Sequence, residues 1–99
     1  MIRGTTPTHT FKLPFDVSRV KEVMVIYAQN DVEVFHKDIY DCNLEGNVVS
    51  VTLTQEETLS LNHHHNVQIQ IRVLTTDNTA MASNVNILSV GQCLNDRVI

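Results

Sequence analysis

Apolar residues fall at every second position along most of this chain. In "NVQIQIRVL" (66–74) Val67, Ile69, Ile71 and Val73 share one face, and Gln68, Gln70 and Arg72 the other. Such alternation predicts a half-buried strand. The same period runs through "THTFKL" (8–13), where His9, Phe11 and Leu13 oppose Thr8, Thr10 and Lys12. It recurs in "NVVSVTLT" (47–54), with Val49, Val51 and Leu53 against Ser50 and Thr52. In "DVEVFHKDI" (31–39) Val32 and Val34 alternate with Glu33. "KEVMVIYAQ" (21–29) sets Val23, Val25 and Tyr27 against Met24, Ile26 and Ala28. It is apolar on both faces, which predicts a central, well-covered strand. "TAMASNVNILSV" (79–90) is less regular and reads as a final strand pair or one long bent strand. Asn84 and Asn86 break its alternation, as a bulge would.

Turn residues separate these runs. "QND" (29–31) predicts a hairpin, "LEGN" (44–47) leads into the fourth strand, and Asp77-Asn78 suits a tight turn needing positive φ. "LPFDVSRV" (13–20) is a longer crossing connection in which Pro14 ends a ladder and Asp16 caps one helical turn. "TQEE" (54–57) has the form of a capping box, with Thr54 and Glu57 exchanging hydrogen bonds with each other's backbone. About seven short strands with no long helical period predict an all-β fold. The expectation is a single antiparallel immunoglobulin-like β-sandwich over residues 1–99. The Cys…Trp…Cys signature of antibody domains is absent, because the chain has no Trp.

Composition narrows the function classes. The 99 residues carry a formal net charge of −4, and the seven Lys and Arg are scattered. No nucleic-acid partner is expected from such a distribution. No apolar run approaches the roughly 20 residues that span a bilayer, so no membrane partner is expected either. "MIRGTTPTHT" lacks the apolar core of a signal peptide, which predicts synthesis in a cytoplasm. In a reducing compartment Cys42 and Cys93 are expected as thiols.

Candidate chemistry is sparse. His63 and His65 are two apart and would share a face of a strand, half of a zinc site. No further ligand stands at a recognised spacing, although His9 and His36 lie on other segments. The triplet is flanked by Asn62 and Asn66, so a polar loop feeding the next strand is the preferred reading. Histidines at an exposed loop also leave room for a pH-sensitive contact. Asp38, Asp41 and Glu45 do not match a calcium loop. Cys42 would be a nucleophile only beside a histidine. Three glycines do not make a phosphate loop. Gln68, Gln70 and Arg72 form a polar face for a partner or a sugar, against the plainer reading of a solvated sheet face. Both chain ends, "IRGTTPT" and "CLNDRVI", are apolar enough to pack on another domain or subunit.

Three segments together carry a resemblance: "IRGTTPTHTFKLPFDVSRVKEVMVIYAQ", "CNLEGNVVSVTLTQEETLSL" and "VQIQIRVLTTDNTAMAS". They resemble small phage and prophage proteins of Gram-positive bacteria, and the N-terminal immunoglobulin-like domain of phage baseplate upper proteins. The family's hairpin Asp-Gly is Asp77-Asn78 here, and the histidine triplet falls where the family carries a variable loop. The resemblance implies a tail or baseplate structural protein of the virion, assembled in the bacterial host cytoplasm. It would act as an adaptor or ring component through contacts with other phage structural proteins or with further copies of itself. No enzyme, catalytic residue, metal or cofactor is implied. A carbohydrate-binding module is the alternative, although the aromatic residues it favours are few. A metal-dependent enzyme built on His63 and His65 is a third class.

Overall fold

β-branched residues favour pleated, half-buried surfaces, and strands form where the alternation places them. The computed structural model describes residues 1–99. Its strands are β1 (Thr8–Lys12), β2 (Val20–Gln29), β3 (Val32–Asp38), β4 (Cys42–Glu45), β5 (Val48–Thr52), β6 (Val67–Thr75), β7 (Ala80–Ala82) and β8 (Asn86–Leu88). One short helix, α1 (Gln55–Leu59), follows β5, and 3-10 turns occupy Val17–Arg19 and Ile39–Asp41.

The strands form two antiparallel sheets, β1-β5-β4 and β3-β2-β6, with β7 and β8 both paired to the far edge of β6. Between the sheets lies one cluster of 13 buried apolar residues, among them Val23, Val25, Tyr27, Val49, Val51, Leu53 and the four alternating residues of β6. The strand order is that of an immunoglobulin-like sandwich. β1, β5 and β4 stand as strands B, E and D, and β3, β2, β6 and β7/β8 as C′, C, F and G. The start of the chain contributes only a parallel bridge between Ile2 and Gly91.

The turns follow their residues. Asn30 (φ 53°) and Asp31 (φ 63°) are both left-handed, the geometry of a two-residue hairpin between β2 and β3. Gly46 (φ 60°) turns β4 into β5, and Asn78 (φ 66°) turns β6 into β7. Asp16 caps the first 3-10 turn by accepting from the Ser18 N–H at 2.9 Å, which holds its carboxyl below the usual range. Thr54 and Glu57 form the expected capping box on α1.

The structure departs from the alternation in three places. There are eight strands: the addition is Cys42–Glu45, too short to show a period, whereas 79–90 is the strand pair of the two readings, divided at Ser83, whose hydroxyl and N–H bond to Ile71. In β3 a register shift opposite Tyr27 and Ala28 inserts Val34 as an extra residue. Val32 and Val34 therefore stay exposed, while Phe35 and Lys37 face the core. Finally, β2 is central but covered on one face only. Met24, Ile26 and Ala28 are half-buried beside Arg72, Gln70 and Gln68 on the outer face.

Candidate functional site

The histidine triplet sits in a loop between α1 and β6. Leu61 is buried beneath it and Val67 restarts the ladder, while His64 and His65 are exposed. Asn62 Oδ1 accepts from the His64 N–H at 2.8 Å, so the turn is closed by the asparagine. The loop is gripped by Gln29, at the end of β2. Its Nε2 donates to Asn62 O (2.8 Å) and His65 O (3.1 Å), and its Oε1 accepts from Asn62 N–H (2.9 Å). His63 packs its ring against His64, with centroids 4.0 Å apart. No group of three or more His, Cys, Asp or Glu side chains is gathered for a metal ion. His36 pairs with Glu33 on β3, and His9 points into the sandwich.

The polar residues of β6 are divided between two neighbouring turns. Gln68 brackets the β2–β3 hairpin: its Nε2 donates to Asp31 Oδ1 (2.8 Å) and its Oε1 accepts from Asp31 N–H (2.9 Å). Gln70 Nε2 donates to Ser83 O at 2.9 Å, bridging the break between β7 and β8. Arg72 is exposed and forms no ion pair. Of the three, Arg72 alone presents a free polar head.

Between the sheets lies a polar cluster that the alternation did not announce. Tyr27 is fully buried, stacked on Phe35 at 4.7 Å, with its hydroxyl 2.7 Å from His9 Nδ1. Burial, then the nearby Met1 amine, hold His9 below its ordinary value, and burial pushes the Tyr27 phenol well up. Both are neutral near pH 7, so the phenol O–H donates to His9 Nδ1, which assigns the Nε2–H tautomer. Lys37 lies on the same inward face. Its ammonium donates to both Glu57 oxygens, at 2.8 and 2.9 Å. Burial would raise the Glu57 carboxyl, but the Lys37 and Thr54 hydrogen bonds outweigh it and hold the group low. Every buried polar side-chain atom has a partner. One hint was present in the sequence: the capping-box Glu57 accepts a single hydrogen bond from the Thr54 backbone, through Oε1, and so keeps room for a cation across its two oxygens.

Both cysteines are free thiols. Cys42 Sγ donates to Asp38 O at 3.2 Å, and burial, with Asp41 and Asp38 beside it, pushes its thiol up. A thiol raised in this way is a poor nucleophile. Asp38 and Asp41 form a second capping box, around the 3-10 turn that displays Tyr40. Tyr40 is 93 % exposed.

The chain ends meet over α1. Arg3 Nε donates to Leu61 O (2.7 Å), Nη2 to Leu59 O (2.8 Å) and Nη1 to Asp96 (3.0 Å). Gly4 (φ 79°) lets its N–H reach Thr58 Oγ1 at 2.9 Å, and that hydroxyl donates to Thr5 O. The tail returns to the helix through two hydrogen bonds between Ile99 and Gln55, each 2.8 Å. No protein-family model, curated protein or solved structure matches the chain.

Proposed function

We propose that the chain is a phage or prophage structural protein, a tail or baseplate adaptor that works through protein–protein contacts and not through catalysis. One observation carries this reading: the residues on which the family resemblance rests serve the scaffold. Arg3 and Gly4 tie the opening segment to α1, Thr54 and Glu57 cap that helix, and Asp77 and Asn78 shape the β6–β7 turn. Motifs that build a rigid sandwich suit a protein whose product is a surface. Exposed Val85, Ile87, Leu94 and Ile99 give that surface apolar material for contacts. Mass spectrometry of purified particles from a host carrying the gene tests the reading. The chain should be found at a fixed stoichiometry to the tail proteins, and its absence from complete particles overturns the proposal.

Sugar binding is favoured by a single feature, the exposed Tyr40 between two carboxylates. A glycan array answers it: specific binding lost in Tyr40→Ala would replace the structural reading.

A further inference from the structure

The two long sides of the sandwich are closed differently. On one side the chain crosses from β3 to β4 through the Ile39–Asp41 turn, and Ile39 packs against the core. On the other side the opening segment crosses at one end only, from its bridge with Gly91 to Pro7 at the start of β1, and the stretch between the rest of β1 and β7 is left open. A groove of about 470 Å³ runs there, with Phe11, Leu13, Phe15, Ile71, Val73 and Met81 among its lining residues. In the immunoglobulin arrangement this is the flank of strand B, which strand A would pair.

The groove lies between two free backbone ladders. Leu13 N–H donates to Asn47 O and Leu53 N–H donates to Pro7 O, so odd-numbered residues of this strand bond to β5. Alternate residues of an antiparallel pair point their N–H and C=O groups the other way. The backbone groups of Thr8, Thr10 and Lys12 are therefore turned outward. On the facing sheet, Ser83 N–H donates to Ile71 O and Thr75 N–H to Thr79 O, which turns Ala80 and Ala82 outward.

The other sheet edges are blunted by ordinary devices. β3 carries the bulge at Val34 and the charges Glu33 and Asp38, and β4 is only four residues long. The β7/β8 edge is broken at Ser83. β1 has five unbroken residues, no bulge and no proline.

Charge selects the occupant. Lys12 ends β1 and makes no ion pair, and the Arg19 guanidinium, also outside any ion pair, lies 5.4 Å over the Phe15 ring. The end of the groove near Phe15 thus carries Lys12 as an unpaired cation in its lining, with Arg19 beyond Phe15 acting also on the Asp77 carboxylate, in a chain of net charge −4. A second β1 would bring another lysine and no acid.

We infer that this flank takes up an extended strand from a different polypeptide. That strand is apolar at alternate positions and acidic at the end beside Lys12 and Arg19, and it pairs antiparallel with β1. Main-chain hydrogen bonds supply affinity in such strand addition, and alternate side chains supply specificity. The inference deepens the adaptor reading and depends on it only for where the strand comes from.

The test is a titration with a synthetic nine-residue peptide that alternates threonine and valine, with two aspartates at its N-terminal end. Saturable binding should slow amide exchange at Thr8, Thr10 and Lys12. Thr10→Pro, which removes an outward N–H without touching the β5 ladder, should abolish it, and so should Met81→Lys. Lys12→Glu should weaken binding at least about tenfold. The variants' unfolding midpoints confirm that they fold. No saturable binding, or binding indifferent to both groove variants, overturns the inference. So does a dimer of the free protein that Thr10→Pro disperses, because the flank would then belong to a second copy. Particle mass spectrometry stands or fails independently of this titration.

Discussion

Glu57 holds one end of the protein together at the level of single atoms. It completes the Thr54 capping box and neutralises an ammonium buried between the sheets. Removing one partner of a buried pair leaves the other charge without compensation, whereas replacing both with apolar groups is often neutral. Glu57→Ala should cost about 3 kcal/mol in chemical denaturation. Lys37→Met with Glu57→Leu should recover most of that loss. His9 sets a second, pH-dependent contribution. Its folded value lies below the ordinary 6.5, so the unfolded chain takes up the proton first. Stability is then full above pH 6.5 and is lost as the pH falls from there through the folded value. Glu57 titrates below its ordinary 4.5, and its stability is lost as the pH falls below that point through the folded value. The thermal midpoint should fall in two steps on acidification, and His9→Gln should remove the first and leave the second.

Elements were legible where one alternation ran long enough to be read. β6 shows its inward face over nine residues, and the Thr54 and Asp16 caps were visible as local chemistry. β4 escaped because four residues hold only two turns of the period. The β3 valines misled because a bulge is a register event between strands, and no property of Val34 alone announces it. The histidine loop was legible as a loop, but its fastening was not: Gln29 lies 33 residues from Asn62 in sequence. The same long-range pairing hid the Tyr27–His9 and Lys37–Glu57 contacts. The turns give a cleaner test of local reasoning. Gly46 has a positive φ, and nothing lies within 4 Å of where a Cβ would stand. Gly46→Ala should therefore cost about 1 kcal/mol through backbone conformation alone, and Gly46→Asn less. Urea denaturation of the two variants checks this.

For the molecule as a whole, Arg3 links three regions that are far apart in the chain: the opening segment, the end of α1 and the tail at Asp96. Its two carbonyl contacts are part-buried, while Asp96 is mostly exposed. Charged hydrogen bonds of the first kind contribute about 1.5–3 kcal/mol, and exposed ion pairs at most about 1. Arg3→Ala should therefore lower the unfolding free energy by about 2–3 kcal/mol, and Asp96→Asn by less than 1. Calorimetry of both variants separates the two contributions. The Ile2–Gly91 bridge has a mechanical consequence. Its strands run parallel, joined by Arg3 N–H to Gly91 O and Gly91 N–H to Met1 O. A tension applied through the two ends first parts the tail from its contacts, Ile99 from Gln55 and Asp96 from Arg3, and then loads this junction in shear, so that these two bonds and the one from the Met1 amine to Ser89 O must fail together. The long ladder between β2 and β6 feels the load only afterwards. Forced extension follows unfolding rates and not equilibrium stability. Under force the molecule should therefore release the tail and then this small clasp, with a short initial lengthening before the sandwich opens.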